Sequence, residues 1–182
     1  MKQDLIKTTE QFVTQAFKKA NNPVEIFHAT QTSHWIQKLK PEASEALQIA
    51  GLLHDIERAF YGDWKAGSSD ENKLKKHQEL SAKVTEDFLK QENADQSMIS
   101  EVKDLILNHE EGGAGDKAVL CDADCLAYFE EKAIRNAKKF KEEGKEEKMK
   151  KKLDYVFNRI SSKKAKAIAQ EWYNKAIKIL ER

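Results

Sequence analysis

Residues 46–60 read ALQIAGLLHDIERAF, an apolar helical pattern that contains the adjacent polar pair His54 and Asp55. Apolar side chains recur with helical spacing through this stretch, which predicts a helix over about 42–60. A plain core helix would carry leucine or alanine at the two polar positions. Because a divalent metal site needs imidazole and carboxylate ligands, the pair indicates a metal site and the hydrolysis or oxidation chemistry that such sites support.

The whole chain is predicted to be an all-α, single-domain helical bundle. It has 182 residues with only two prolines and seven glycines, and it is rich in residues that favour helices. Helical periodicity predicts about seven or eight helices, at about 4–20, 23–39, 42–60, 73–92, 95–109 and 117–140, followed by two amphipathic helices that close the chain. No segment has the pattern of a strand.

The charge distribution gives no support for a nucleic-acid or membrane partner, because 32 basic and 31 acidic residues leave a formal net charge of +1. The run of Lys and Glu from Lys138 to Lys152 predicts a solvated helical surface or a hairpin that turns at Gly144. No apolar run suits a signal peptide or a membrane span. Cys121 and Cys125 lie one helical turn apart, where a disulfide would be strained, so we expect a reduced, cytoplasmic chain.

Three of the four remaining histidines extend the candidate metal site. His34, His77 and His109 each lie on the apolar side of a different predicted helix, and Asp124 lies in the apolar segment LCDADCLAYF at 120–129. Burial of a carboxylate is unfavourable unless it is paired or bound to a metal. A single inward histidine is commonly a core residue, but one on each of several helices, with a buried aspartate, predicts a metal site.

This order of residues resembles the HD-domain superfamily of metal-dependent phosphohydrolases, in which a histidine, a His-Asp pair and a later aspartate lie on a helical bundle. The matching positions are His34, His54, Asp55 and Asp124. Asp124 is chosen because ADCL at 123–126 matches the Ala-Asp-x-Leu of the family, and Asp122 remains the alternative. The resemblance covers about 25–130 of one HD-like domain over 1–182, and the charged helical extension at about 138–182 carries no family motif.

Some members of this superfamily have two further histidines, and His77 in KHQELSA and His109 in ILNHEEGG match them in order and placement. The resemblance implies either a second metal ion or histidines that contact a substrate phosphate, and both remain open. Imidazole and carboxylate ligands suit Mn, Fe, Co, Ni or Zn better than Ca. We therefore expect one or two divalent transition-metal ions.

The resemblance also implies candidate catalytic residues, beginning with Asp55 of the His-Asp pair. Arg58 matches the basic position of a frequent His-Asp-Ile-Gly-Lys version and would reach a phosphate, or it simply caps the helix. Glu57 replaces the glycine of that version and would orient a ligand, act as a general base or pair with Arg58. Asp63 in FYGDW matches a Gly-Asp of the 5′-deoxynucleotidase branch that is proposed to activate water, with an exposed loop aspartate as the alternative.

The function implied by the resemblance is hydrolysis of a phosphate monoester, diester or anhydride by metal-activated water. The expected partner is a small phosphorylated molecule such as a nucleotide or phosphometabolite, and the oligomeric state is left open. Two alternatives remain. A few HD-domain proteins with this six-ligand layout are di-iron oxygenases, and others are ligand-sensing modules without catalysis.

Overall fold

The computed structural model describes residues 4–62 and 71–181, and within these ranges it is all-α, without a strand. The elements are α1 (Leu5–Lys19), α2 (Pro23–Leu39), α3 (Glu45–Leu53), α4 (Arg58–Tyr61), α5 (Glu71–Gln91), α6 (Gln96–Leu107), α7 (Asp116–Tyr128), a π-helical segment (Phe129–Ala133), α8 (Ile134–Glu142), α9 (Glu146–Arg159) and α10 (Lys163–Glu181). The π-helical segment joins α7 and α8 into one continuous helix. Helix α4 is a single turn. The predicted all-α class is confirmed.

Helix α2 packs against both α3 and α7. It approaches α3 closely at Gly51, where a side-chain Cβ would meet the Cδ1 end of Ile36, so a larger residue there would require the Ile36 side chain to move. Fully buried aliphatic and aromatic side chains fill the space around α2, among them Leu53, Leu126 and Phe129. Burial of such side chains supplies the main stabilisation of the bundle, at roughly 1.5–3 kcal/mol each.

Helix α3 ends earlier than the sequence predicts. Ser44 caps its N-terminus by accepting a hydrogen bond from the backbone N–H of Leu47 at 3.2 Å, and the helix ends at Leu53 rather than near residue 60. His54 and Asp55 therefore lie in a turn before α4. The turn is wound by i→i+3 hydrogen bonds, from the Ile56 N–H to Leu53 and from the Arg58 N–H to Asp55, and the side chains of His54 and Asp55 both reach the same interior site.

The C-terminal helices share the core of the bundle. Met149 and Leu153 on α9 and Ala165 and Ala169 on α10 are fully buried. Gly144, with φ of 64°, lies in the turn between α8 and α9, as the sequence predicts. No helix of the described ranges has both the length and the apolar composition needed to cross a membrane.

Candidate metal centre

Two adjoining groups of buried side chains lie inside the bundle. The first consists of His28, His54 and Asp124, and the second consists of Asp55, His77 and His109; within each group the potential ligand atoms lie within 4.8 Å of one another. They come from α2, the turn after α3, α5, the turn after α6 and α7. Segments far apart in the sequence thus bring four imidazoles and two carboxylates to one place.

In the first group, the Nε2 atoms of His28 and His54 face the same carboxylate oxygen. His28 Nε2 lies 3.1 Å from Asp124 Oδ1, and His54 Nε2 lies 3.5 Å from it. Each of the three residues is more than nine-tenths buried, and His54 is fully buried. The three donor atoms therefore face a common point that is shielded from solvent.

Asp55 lies between the two groups and faces each with a different oxygen. Its Oδ1 is 3.0 Å from His77 Nε2 and 3.9 Å from His109 Nε2 in the second group. Its Oδ2 is 3.6 Å from His54 Nε2 and 3.8 Å from His28 Nε2 in the first. A carboxylate placed in this way can bind a cation on each side.

The Nδ1 atoms of His54, His77 and His109 point outward to acceptors, which orients these three rings. His54 donates its Nδ1–H to the Gly51 carbonyl oxygen at 2.9 Å, and His109 donates to that of Ile106 at 2.7 Å. His77 Nδ1 lies 2.5 Å from Glu57 Oε1. Because a carbonyl oxygen only accepts, the neutral rings of His54 and His109 carry their lone pair on the inward Nε2.

Protonation of the metal-free site reflects its concentration of acidic groups. Burial favours neutral His77, but hydrogen bonds to Asp55 and Glu57 outweigh it and raise the pKa of His77 to about 10. Burial would raise the pKa of Asp55, yet Arg58 and His54 hold it well below its usual range. Burial and the nearby charges of His77 and His54 keep the pKa of His109 well below its ordinary value. The carboxylates of Asp55 and Glu57 therefore stabilise positive charge within the cluster.

The donor atoms fit a divalent transition-metal ion. His54 Nε2 is buried without a hydrogen-bond partner in the described structure, and His77 Nε2 lies only 3.2 Å from His109 Nε2. Two inward lone pairs at that distance repel unless a proton or a metal ion lies between them. Imidazole nitrogen with carboxylate oxygen is a ligand set that Mn, Fe, Co, Ni and Zn accept. The groups could therefore hold a metal ion.

The prediction that His34 belongs to this cluster is wrong, and His28 takes its place. His34 is exposed on α2, with its ring against the edge of Trp35 at a centroid distance of 6.2 Å. Six residues separate the two histidines, which turns His34 about 120° away from His28 around the helix axis. A signal for His28 was present in the sequence, because it shares a helical stripe with Thr32 and Trp35.

The structure separates the two candidate aspartates on α7. Asp124 lies in the first group, whereas Asp122 accepts hydrogen bonds from the backbone N–H groups of Ser161 at 2.6 Å and Ser162 at 3.0 Å. Asp122 therefore holds the chain at the start of α10. The candidate Asp63 lies outside the described residues.

Glu57 and Arg58 lie beside the cluster, in supporting positions. Glu57 is fully buried behind His77 and accepts a hydrogen bond from the Ser81 hydroxyl at 2.6 Å. Arg58 Nη1 lies 2.5 Å from Asp55 Oδ2 and 2.8 Å from Glu25 Oε2. Both oxygens of Glu57 thus have partners within the protein, and Arg58 orients Asp55 instead of capping a helix.

Arg159 at the end of α9 is a supporting residue that no sequence motif marks. Its guanidinium donates to the carbonyl oxygens of His109 at 3.0 Å and Glu110 at 2.9 Å, and to Asp124 Oδ2 at 3.2 Å. This fork connects the turn after α6 to α7. A lone arginine in FNRIS at 157–161, beyond the Lys-rich segment, has no spacing that would have predicted this role.

The π-helical segment brings two further charged residues, Glu131 and Lys132, against α2. Glu131 Oε2 lies 3.7 Å from His28 Nδ1, and Lys132 donates to Glu25 Oε1 at 2.8 Å. Single π-helical turns occur often at functional sites, because they change which side chains face a neighbour. Residues 129–133 thus complete the surroundings of His28.

Comparisons with known proteins place the chain in a family. No curated protein and no solved structure matched the chain. A family model described as "Domain of unknown function (DUF4202)" matches residues 5–180. Because this match covers nearly the whole sequence, the chain belongs to the DUF4202 family.

Proposed function

We propose that this protein is a metal-dependent phosphohydrolase of the HD-domain type, with two metal ions in its centre. The position of Asp55, with one carboxylate oxygen facing each group of ligands, is the observation that carries the proposal. With His28 in place of His34, the HD-domain pattern comprises His28, His54, Asp55 and Asp124, and the two further histidines follow in order.

The two groups divide the ligands between the two ions. His28, His54 and Asp124 would hold the first ion, His77 and His109 the second, and Asp55 would contact both. His77 and His109 already have an inward partner in Asp55 and an outward acceptor at Nδ1, as metal-binding histidines commonly have. This arrangement favours a second metal ion over direct phosphate contacts by these two histidines.

The metal ions, when bound, would activate water and offset negative charge on a phosphoryl group. The chain's own residues would prepare the site. Arg58 holds Asp55 ionised and oriented, and Glu57 fixes the His77 ring. The substrate would be a small phosphate monoester, diester or anhydride, such as a nucleotide. Cys121 and Cys125 are buried free thiols, which supports a cytoplasmic location.

Metal analysis tests the centre itself. Replacement of both His54 and Asp55 with alanine removes donors that face both ions, so the variant should lose stoichiometric metal in elemental analysis. Replacement of His77 and His109 should leave about half the metal of the parent chain. Full metal content in the first variant would overturn the metal centre, and full content in the second would overturn the dinuclear assignment.

Activity assays test the reaction class. The Mn-loaded chain should release phosphate from one or more members of a phosphoester and nucleotide panel, and the His54→Ala, Asp55→Ala double variant should not. Oxygen consumption by the iron-loaded chain, with mixed-valence spectra and without phosphate release, would instead show a di-iron oxygenase. Inactivity of the fully metal-loaded chain in both assays would overturn catalysis in favour of a ligand-sensing role.

A further inference from the structure

Two cations share one buried carboxylate next to the metal centre. Glu25 accepts a hydrogen bond from Lys132 on one oxygen and from Arg58 on the other, both at 2.8 Å. Arg58 also forms an ion pair with Asp55. The series of ion pairs from Lys132 through Glu25 and Arg58 therefore ends at the carboxylate that lies between the two ligand groups. Glu25 and Lys132 are both more than nine-tenths buried. The cations are therefore fixed in place by the fold.

A third cation, Lys152 on α9, lies close to them without an acidic partner. Its ammonium group lies 5.1 Å from the centre of the Tyr128 ring, and Tyr128 follows Asp124 by one turn of α7. Within residues 4–62 and 71–181, no carboxylate oxygen lies within 4.0 Å of its Nζ atom. Lys152 is half-buried, unlike its exposed neighbour Lys151. It therefore projects from the Lys-rich segment toward the interior.

Two positive and two negative groups act on the ammonium group of Lys152. Burial lowers its pKa to about 8, and the positive charges of Lys132 and Arg58 act in the same direction, while Glu25 and Asp124 oppose them. A metal ion bound to Asp124 would cancel the attraction of that carboxylate. Asp55, the second carboxylate that pairs with Arg58, would be offset by metal in the same way. Among these groups three cations would then face one uncompensated carboxylate, that of Glu25, and an anion would restore the balance.

We propose that Lys152 and Lys132 form an anion subsite beside the metal centre, and that this subsite binds a phosphate group of the substrate. The proposal rests on the proposed function and adds a recognition residue from α9. A phosphate oxygen bound there accepts hydrogen bonds from the Lys152 ammonium group, which has three donors and no carboxylate to bind. Lys132 and Arg58 stay on Glu25 and contribute positive charge.

The test is phosphate binding to the full-length, Mn-loaded chain at pH 7, measured by calorimetry with inorganic phosphate as the probe. Lys152→Gln should weaken phosphate binding about tenfold and leave metal content unchanged, because the side chain is not a metal ligand. Lys152→Arg retains the charge and should bind within about threefold of the parent. Lys151→Gln is the matched control on the exposed side of the same helix, and its affinity should not change.

Equal phosphate affinity in Lys152→Gln and the parent chain would overturn the subsite, as would absence of phosphate binding to the Mn-loaded parent. Neither result would alter the metal stoichiometry on which the proposed function stands. If the parent chain bound no Mn, the proposed function would fail. Phosphate titration of the metal-free chain would then decide the subsite alone, with loss of binding in Lys152→Gln supporting it and equal binding overturning it.

Discussion

Glu57 is buried behind His77, and each of its carboxylate oxygens has its own partner. One oxygen lies 2.5 Å from His77 Nδ1, and the other accepts the Ser81 hydroxyl at 2.6 Å. This pairing of carboxylate and histidine holds the imidazole in the orientation that directs Nε2 to Asp55. Such outer partners typically change metal affinity by 10–100-fold when they are removed.

Replacement of Glu57 by glutamine should therefore weaken binding of one of two metal ions by about 10–100-fold. The amide keeps the size of the side chain but removes the charge that stabilises the orientation of His77. Competition with a chromophoric chelator measures the two affinities separately. Glu79→Gln, an exposed change on the same helix as His77, serves as the control. Two unchanged affinities in Glu57→Gln would show that Glu57 does not position His77.

At the residue scale, the sequence indicated most of the cluster but misplaced one member. His54, Asp55, His77, His109 and Asp124 all reach it, since each lies in an apolar segment that the bundle buries. His34 does not, because α2 is polar on the side where His34 lies. The helical stripe through His28, Thr32 and Trp35 indicated a buried side of α2. The sequence does not show that α7 packs against that side.

At the scale of elements, Glu25 connects three parts of the bundle. It lies on α2, binds Arg58 of α4 and binds Lys132 of the π-helical segment. Burial alone would raise its pKa, but Arg58 and Lys132 outweigh that effect and lower the pKa from 4.5 to about 2. The folded protein therefore binds a proton at Glu25 more weakly than the unfolded chain does.

This difference gives Glu25 a stabilising contribution above pH 4.5 that is lost as the pH falls from 4.5 to about 2. In the metal-free protein, Glu25→Gln should lower the free energy of unfolding by about 3 kcal/mol at pH 7. The gap between parent and variant should narrow toward pH 2, as measured by urea titration at several pH values. Glu10→Gln, an exposed change on α1, should show no such gap. A gap independent of pH would contradict the ion-pair account.

The apolar pattern of 46–60 could predict a helix but not where it ends. Leu53 and Ile56 are both buried, so hydrophobic periodicity continues across the turn at His54 and Asp55. The structure shows two contacts at the break, the hydrogen bond of His54 to Gly51 and the ion pair of Arg58 with Asp55, and each joins residues three positions apart. Hydrophobic periodicity carries no sign of either contact.

At the scale of the whole molecule, the cluster draws on five separate segments between residues 28 and 124, and α9 adds Arg159. A bound metal would therefore connect most of the bundle. The sequence could not predict these roles of α9, because Lys152 ends the Lys-rich run at 138–152 and Arg159 follows that run without a motif around it. Only the packing of α9 on α7 distinguishes them.

Metal removal should consequently destabilise the entire fold. A metal present at 100 times its dissociation constant stabilises the folded state by about 2.7 kcal/mol, which for a chain of this size corresponds to a Tm shift of roughly 5–10 °C. Addition of a chelator should lower the Tm of the metal-loaded parent by this amount in a calorimetric scan. The His54→Ala, Asp55→Ala double variant should show no shift, and an equal shift in that variant would place the effect elsewhere in the chain.

The dinuclear centre is tested by counting the metal ions bound by the parent chain, His28→Ala and His34→Ala after identical loading with Mn. Elemental analysis should find two ions per chain in the parent and in His34→Ala, because His34 is exposed on the far side of α2. His28→Ala should lose one ion, because His28 faces Asp124 in the first group. Loss of metal from His34→Ala, or two ions retained in His28→Ala, would contradict the account.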